Sequence, residues 1–228
     1  MRRLLPLFLV AALAAGCGGS SGTTTAPPAS TTTPVSPAPM TLTIYPVADG
    51  RLTVRTVTVP RTQAVARASL DALGIKAPVK IAGGTATVAL DAPSPAQVAS
   101  IVYTLTRFSS VQSVDVGTHA GLTRADVESF VPPILVESPV EGASVPPSFT
   151  VSGTASVFEA TLVVELVRDG KLLERHTVTA SEGAPGRGTF SVDLHAPSAG
   201  AATVEAYSPS AADGSRQHKQ DVHVTVTP

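Results

Sequence analysis

Chemistry in a protein begins with its nucleophiles, bases and metal ligands, and in this chain they are few and scattered. There is one thiol, Cys17, and five histidines. His119, His176, His195, His218 and His223 show none of the close spacings that hold zinc. His218 and His223 lie an odd number of residues apart, so on a single regular strand they point to opposite faces and cannot share an ion. Asp221 and His223 do share a face, yet no serine or cysteine stands in a nucleophile motif such as Gly-x-Ser-x-Gly. Gly183, Gly186 and Gly188 imitate a phosphate loop, but a β-rich run comes directly after them where the phosphate site would need a helix. Asp126 and Glu128 read as a solvated face, and Glu159, beside Phe158, as a turn residue bonding loop amides. These residues predict no enzyme, no metal site and no cofactor. Tyr103 and Arg107, four apart on the helix face opposite an apolar stripe, form the candidate interaction patch.

Cys17 is placed by the residues ahead of it. Arg2 and Arg3 are followed by an apolar run from Leu4 to Ala15 and then by small residues, the pattern of a secretory signal peptide. The run is shorter than the roughly 20 residues a membrane-spanning helix needs. Leu13-Ala14-Ala15-Gly16-Cys17 resembles the bacterial lipobox, which implies that Cys17 is lipidated and becomes the new N-terminus, anchoring the protein to the membrane outside the cytoplasm. The residues alone leave open a plain signal peptide cut near Ala15, with Cys17 a free thiol. The arginine pair lacks the rest of a twin-arginine motif, which points to general secretion.

From Gly18 to Pro39 the chain is Gly, Ser, Thr and Pro mixed with Ala and one Val, and carries no charge. Such a composition cannot form a core and reads as a tether over residues 18–40, able to reach on the order of 60 Å, with Thr/Pro content that suits O-glycosylation. Beyond the signal the chain is long enough for two domains of about 100 residues each. Aromatics are 4% of the 228 residues and tryptophan is absent, so both cores must rest on aliphatic side chains. The net charge of −1, with no basic run after Arg3, argues against nucleic acid as a partner. A single cysteine allows no internal disulfide.

The elements of the first domain can be read in order. Thr41 to Pro46 and Arg51 to Val59 flank Asp49-Gly50, a hairpin signal. A helix is expected from Pro60 to Leu73, ended by Gly74. Val79 to Ala82 and Thr85 to Leu90 flank Gly83-Gly84 as a second hairpin. Ser94, Pro95 and Gln97 form a capping box, and Val98, Ile101, Val102, Leu105 and Phe108 recur at helical spacing. Val114 and Val116 mark a further strand. After the opening hairpin the order is αββαβ, a sheet with its helices on one face. The runs Ala86 to Asp91, Ile101 to Phe108 and Val114 to Val116 resemble the GerM-like (GerMN) domain of sporulation and germination proteins. The resemblance covers residues 41–131 and implies a fold akin to ring-building motifs, without catalytic residues.

Pro132-Pro133 marks the boundary to residues 132–228. There, alternating runs such as Phe149 to Ala155, Leu162 to Val167, Phe190 to Leu194 and Val222 to Val226 predict about seven half-buried strands, an all-β immunoglobulin-like sandwich. Asp169-Gly170 turns one hairpin, but a simple two-residue turn would set Glu165 against Glu174, so a bulge or a longer loop is expected. Ile134 to Pro139, Val151 to Ala155, Val157 to Ala160 and Gly186 to Phe190 resemble the immunoglobulin-like domain of bacterial spore germination. Together these resemblances imply a lipid-anchored, extracytoplasmic, non-enzymatic binding or scaffold protein whose partners are envelope proteins or cell-wall polymer. An accessory sensor lipoprotein of a membrane signalling system is the alternative, and an envelope hydrolase is disfavoured by the absence of a catalytic motif. The Pro-rich boundary predicts that 41–131 and 134–228 each fold alone.

Overall fold

The structure, a computed structural model, describes residues 38–228; Cys17, its expected lipidation and most of the Gly/Thr/Pro tether lie outside the described residues. Strand β1 (Pro39–Ile44) takes in the last two residues of the expected tether and pairs antiparallel with β4 (Arg55–Pro60), from Pro39 opposite Pro60 to Ile44 opposite Arg55. Between them β2 (Val47–Ala48) and β3 (Arg51–Leu52) close a small inner hairpin. Its turn is Asp49-Gly50, both with positive φ, as a two-residue turn matched to strand twist requires. Pro60 ends β4 and does not start the helix: α1 (Val65–Ala72) begins five residues later. Gly74 stops it at φ +78, where the Gly74 and Ile75 amides donate to the carbonyls of Asp71 and Leu70, two of the bonds that close a left-handed helix end.

Next come β5 (Val79–Ala82) and β6 (Thr85–Val88), joined through Gly83-Gly84, then α2 (Pro95–Leu105), β7 (Ser113–Val116) and β8 (His119–Leu122). They form one sheet in the order β5-β6-β7-β8, in which β6 and β7 are parallel and linked by α2 as a crossover. The capping box at the start of α2 is complete. The Ser94 hydroxyl accepts from the Gln97 amide, and the Gln97 side chain accepts from the Ser94 amide. One expectation about this helix fails. Every residue from Val98 to Leu105 is buried, not only the stripe, because Tyr45 and Leu52 of the opening hairpin and a 3-10 segment at Ala125–Phe130 pack on the face away from the sheet. A helix buried all round is covered on all sides by its neighbours.

The sandwich contains β9 (Ile134–Ser138), β10 (Ala143–Val145), β11 (Ser148–Ala155), β12 (Thr161–Arg168), β13 (Lys171–Thr179), β14 (Gly188–His195), β15 (Gly200–Pro209) and β16 (Arg216–Val226). A three-stranded sheet β14-β11-β9 faces a five-stranded sheet β10-β16-β15-β12-β13. Between them lie Phe149, Val151, Phe190 and Leu194 from one side and Leu162, Val164, Leu166 and Val204 from the other. Each such side chain, fully buried, contributes about 1.5–3 kcal/mol. The hairpin β12–β13 carries a bulge at Leu166/Val167, which moves Glu165 off Glu174 and sets it opposite Arg175. The chain thereby replaces a like-charge pair by an ion pair.

The two modules are not separate beads, and the described residues fall within one compact unit. In β9, Ile134 and Val136 belong to the sandwich core while Leu135 between them, fully buried, belongs to the core of the first module. Side chains alternate across a strand, so β9 serves both cores at once. Gly153 on β11 makes this approach feasible: a Cβ there would sit 2.0 Å from the Leu135 carbonyl oxygen.

Candidate functional site

The charged and aromatic groups with the most interlocked contacts lie at the junction of the two modules. Tyr103 is fully buried, contrary to its expected place on an exposed patch. Its ring packs against Tyr45, centroids 5.4 Å apart and planes tilted by 59°, and the Arg124 guanidinium lies 4.5 Å over its face. Arg107 keeps part of its expected exposure but turns back, its Nη1 donating to the Tyr45 hydroxyl at 2.9 Å. Helical periodicity puts the pair opposite the apolar stripe correctly; it cannot register that Tyr45 and the 125–130 segment cover that side.

Two clasps cross the junction. Glu137 on β9 lies between Arg107 and Arg124, each 3.5 Å from one of its oxygens. Arg187, ahead of β14, donates from Nε to both Glu128 oxygens at 2.9 and 3.0 Å, from Nη2 to the Pro132 carbonyl at 2.9 Å and from Nη1 to the Thr154 hydroxyl at 3.2 Å. Glu128 is therefore committed to an ion pair while its side chain stays 38% exposed, and Asp126 accepts from the amide and hydroxyl of Thr123 at the surface. Planar two-point recognition of a carboxylate by guanidinium is among the stronger polar contacts in proteins. Nothing in the local sequence marks Arg187 for this, since its partners are 55 and 59 positions away.

Beneath the second clasp lies a cavity of about 450 Å³, lined among others by Tyr103, Arg124, Glu128, Thr154, Gly186 and Arg187. The Tyr103 hydroxyl is buried at this wall with no hydrogen-bond partner among the described residues. Burial pushes its ionisation up to about 12, against the opposing pull of Arg187 and Arg124. The Tyr103 hydroxyl is thus a neutral donor, unpartnered among the described residues, set close to Arg124, Glu128 and Arg187. A second groove between the modules, about 520 Å³, runs along Thr53 to Thr56 on one side and Val136, Pro139 and Gln220 on the other. There Gln220 accepts from the Val136 amide at 2.8 Å.

The outer face of the five-stranded sheet carries a second buried charge that the sequence did not single out. Glu165, 1% exposed, meets Arg175, Arg216 and the Tyr207 hydroxyl, the last at 2.9 Å. Burial alone would raise its carboxyl; the bonds from Tyr207 and Arg175 and the two guanidinium charges outweigh that and hold it below its ordinary value.

The remaining candidates are dispersed. His223 pairs with Glu141 at 2.8 Å, and His218, at φ +55, occupies a bulge of β15–β16, so simple parity does not relate the two histidines. Among the described residues no group of three or more His, Cys, Asp or Glu stands close enough to hold a metal ion. Ser148 and His195 touch at 3.0 Å, but the neighbouring Glu174 bonds the His195 backbone amide, not its ring, so the base lacks the orienting carboxylate of a hydrolytic triad. The Glu159 side chain makes none of the loop-amide bonds expected of it among the described residues; its loop is held by backbone bonds and by the Thr161 hydroxyl, which donates to the Glu159 carbonyl. No helix among the described residues is long and apolar enough to cross a membrane.

Residues 133–215 match the model of the immunoglobulin-like domain of bacterial spore germination. No curated protein matches the chain. Among solved structures, the crystal structure of CopC from Methylosinus trichosporium OB3b is similar at 20% identity over 42% of this chain and 94% of that one, with a TM-score of 0.30.

Proposed function

We propose that this chain is a lipid-anchored, non-enzymatic binding protein of the bacterial cell envelope. In this reading the germination-type sandwich is joined to a module of the GerM-like, ring-building kind, and the two act as one unit that holds another envelope protein. The match of residues 133–215 supports a link to spore-germination-related proteins, and the residues Leu13 to Cys17 support the anchor. The observation that carries the binding role is what the polar side chains at the junction do. Arg107, Arg124, Glu128, Glu137 and Arg187 bind the modules to each other beside a cavity lined by Tyr103, whose hydroxyl has no partner among the described residues. That arrangement suits a scaffold with a recessed recognition surface and not a reaction centre.

The test uses the full chain in its own cells. Cys17→Ala should move the protein from the membrane pellet to the soluble exported fraction, because a lipid chain is the sole anchor in this reading. Crosslinking of wild type in intact membranes, followed by mass spectrometry, should recover a discrete set of envelope proteins. Mutant protein that still pellets would refute the anchor; recovery of no polypeptide would refute the binding role.

A further inference from the structure

Among the described residues three large apolar side chains stand out in solvent: Ile81, Leu172 and Phe158. Ile81 and Leu172 sit on strands, where alternation must send every second residue outward. Phe158 has no such excuse. It is 67% exposed and lies in the tight link between β11 and β12, between Val157 and Ala160, which are both buried in the sandwich core.

The backbone there is held in an uncommon shape. Glu159 and Ala160 both have positive φ, +52 and +56, although neither is glycine. Two consecutive residues of this kind persist only where the surroundings over-determine them. The surroundings are the loop between β13 and β14. The Val157 carbonyl accepts from the amides of Ala160 and Ala184, the Ala160 carbonyl accepts from Ala180, and Gly183 passes so close that a Cβ on it would lie 2.8 Å from the Ala160 nitrogen. A core that merely needed a β-turn could use glycine or asparagine at these positions and bury or omit the aromatic ring. Here the backbone is strained, the neighbours are anchored, and the ring is displayed.

We infer that Phe158 is a preformed anchor that inserts into an apolar pocket of a protein partner, and that the pocket is bordered by basic side chains. An aromatic side chain whose backbone is already held loses less freedom on binding, and aromatic rings, phenylalanine among them, are enriched in protein interfaces. The basic border follows from charge complementarity. Glu159, next to Phe158 in the chain, and Glu182, whose side chain lies over Gly186 in the supporting loop, are exposed, and neither takes part in an ion pair among the described residues. The same two carboxylates disfavour an anionic lipid surface as the occupant.

The inference rests on the reading of the chain as a binding protein and deepens it. The experiment places the photocrosslinker p-benzoylphenylalanine at position 158, and in separate full-length variants at positions 81 and 172, in native membranes. The expected result is one discrete polypeptide captured from position 158 and not from the other two. With that polypeptide purified, Phe158→Ala should raise Kd at least tenfold while Phe158→Trp retains binding. Glu159→Gln with Glu182→Gln should flatten the salt dependence of association. Thermal midpoints of all variants should match the wild type, since the altered side chains are exposed. Capture of phospholipid or of a second copy at position 158, or an unchanged Kd for Phe158→Ala, overturns the inference. Silence at 158 with a polypeptide captured at 81 or 172 overturns it and leaves the binding role standing, whereas silence at all three counts against both.

Discussion

Tyr103→Phe removes one atom from the molecule, and the structure makes its effect unusual. A buried tyrosine hydroxyl normally has a partner, and losing it destabilises. Here the hydroxyl is buried without one among the described residues, so the folded state bears its desolvation with nothing in return, a cost of about 1–3 kcal/mol. Phenylalanine keeps the ring contacts with Tyr45 and Arg124 and drops that cost. The variant should be more stable at pH 8 by about 1–2 kcal/mol, each kcal/mol raising the melting temperature about 2–4 °C in a chain of this size. The pH dependence gives a second readout with a fixed sign. The folded-state value for Tyr103 is about 12, above the ordinary 10.0, so below pH 10 both states keep the proton and nothing changes. Above pH 10 the unfolded chain ionises first, and wild type loses about 1.4 kcal/mol per pH unit relative to the variant until the folded state ionises as well. Urea titrations of both proteins from pH 8 to 11 measure this directly. Contributions from Tyr45 and Tyr207 are common to both proteins and cancel. A variant destabilised by more than about 1 kcal/mol at pH 8 would mean that the hydroxyl is satisfied by a bound group in the cavity; a stability difference independent of pH would refute the burial argument itself.

Leu135→Ala should cost about 2–5 kcal/mol, and hydrogen exchange should show the loss of protection in α2, which lies in the other module, as strongly as in β9. If only the sandwich loosens, the shared core is not shared. Glu165→Gln tests the outer-face cluster. Because the folded carboxyl is held below its ordinary 4.5, its stabilisation is present at neutral pH and disappears as pH falls through the folded value. Wild type should therefore lose more stability than the variant on acidification below about pH 4.5, and parallel acid curves would show that the cluster makes no net contribution.

Local rules carried the reading of this chain as far as local rules reach. Asp49-Gly50, Gly83-Gly84 and Asp169-Gly170 turn where their positive φ allows, and Ser94 with Gln97 caps α2, because each depends on residues within a few positions. The bulge at Leu166/Val167 was legible for a similar reason: unbulged pairing would have opposed two glutamates. Pro60 misled because a proline suits a strand end as well as a first helical turn, and here it ends β4 opposite Pro39. Tyr103 misled because periodicity describes one helix and says nothing of a hairpin folding back over it. The junction clasps were out of reach altogether. Arg187 and Glu128 are ordinary surface residues by composition, and only the packing of two modules brings them together. The cavity and its unpaired hydroxyl are products of the same long-range closure. Independent folding of 41–131 and 134–228, expected from Pro132-Pro133, does not suit a strand with a side chain in each core.

That strand also bears on whether the sandwich could be moved to another neighbour. The stretch that matches as a family unit starts at residue 133, one residue before β9, and so it carries within its first few residues a leucine whose resting place is in someone else's interior. Transplanted next to a stranger, the unit would arrive with an apolar plug and no socket. Sliding β9 by one residue would offer the neighbour Ile134 and Val136 and withdraw Leu135, because a strand shifted by one shows its other face. The linker length and the neighbour's vacancy therefore have to match, and exchange of either module alone must leave the plug at the same height or leave it stranded in water.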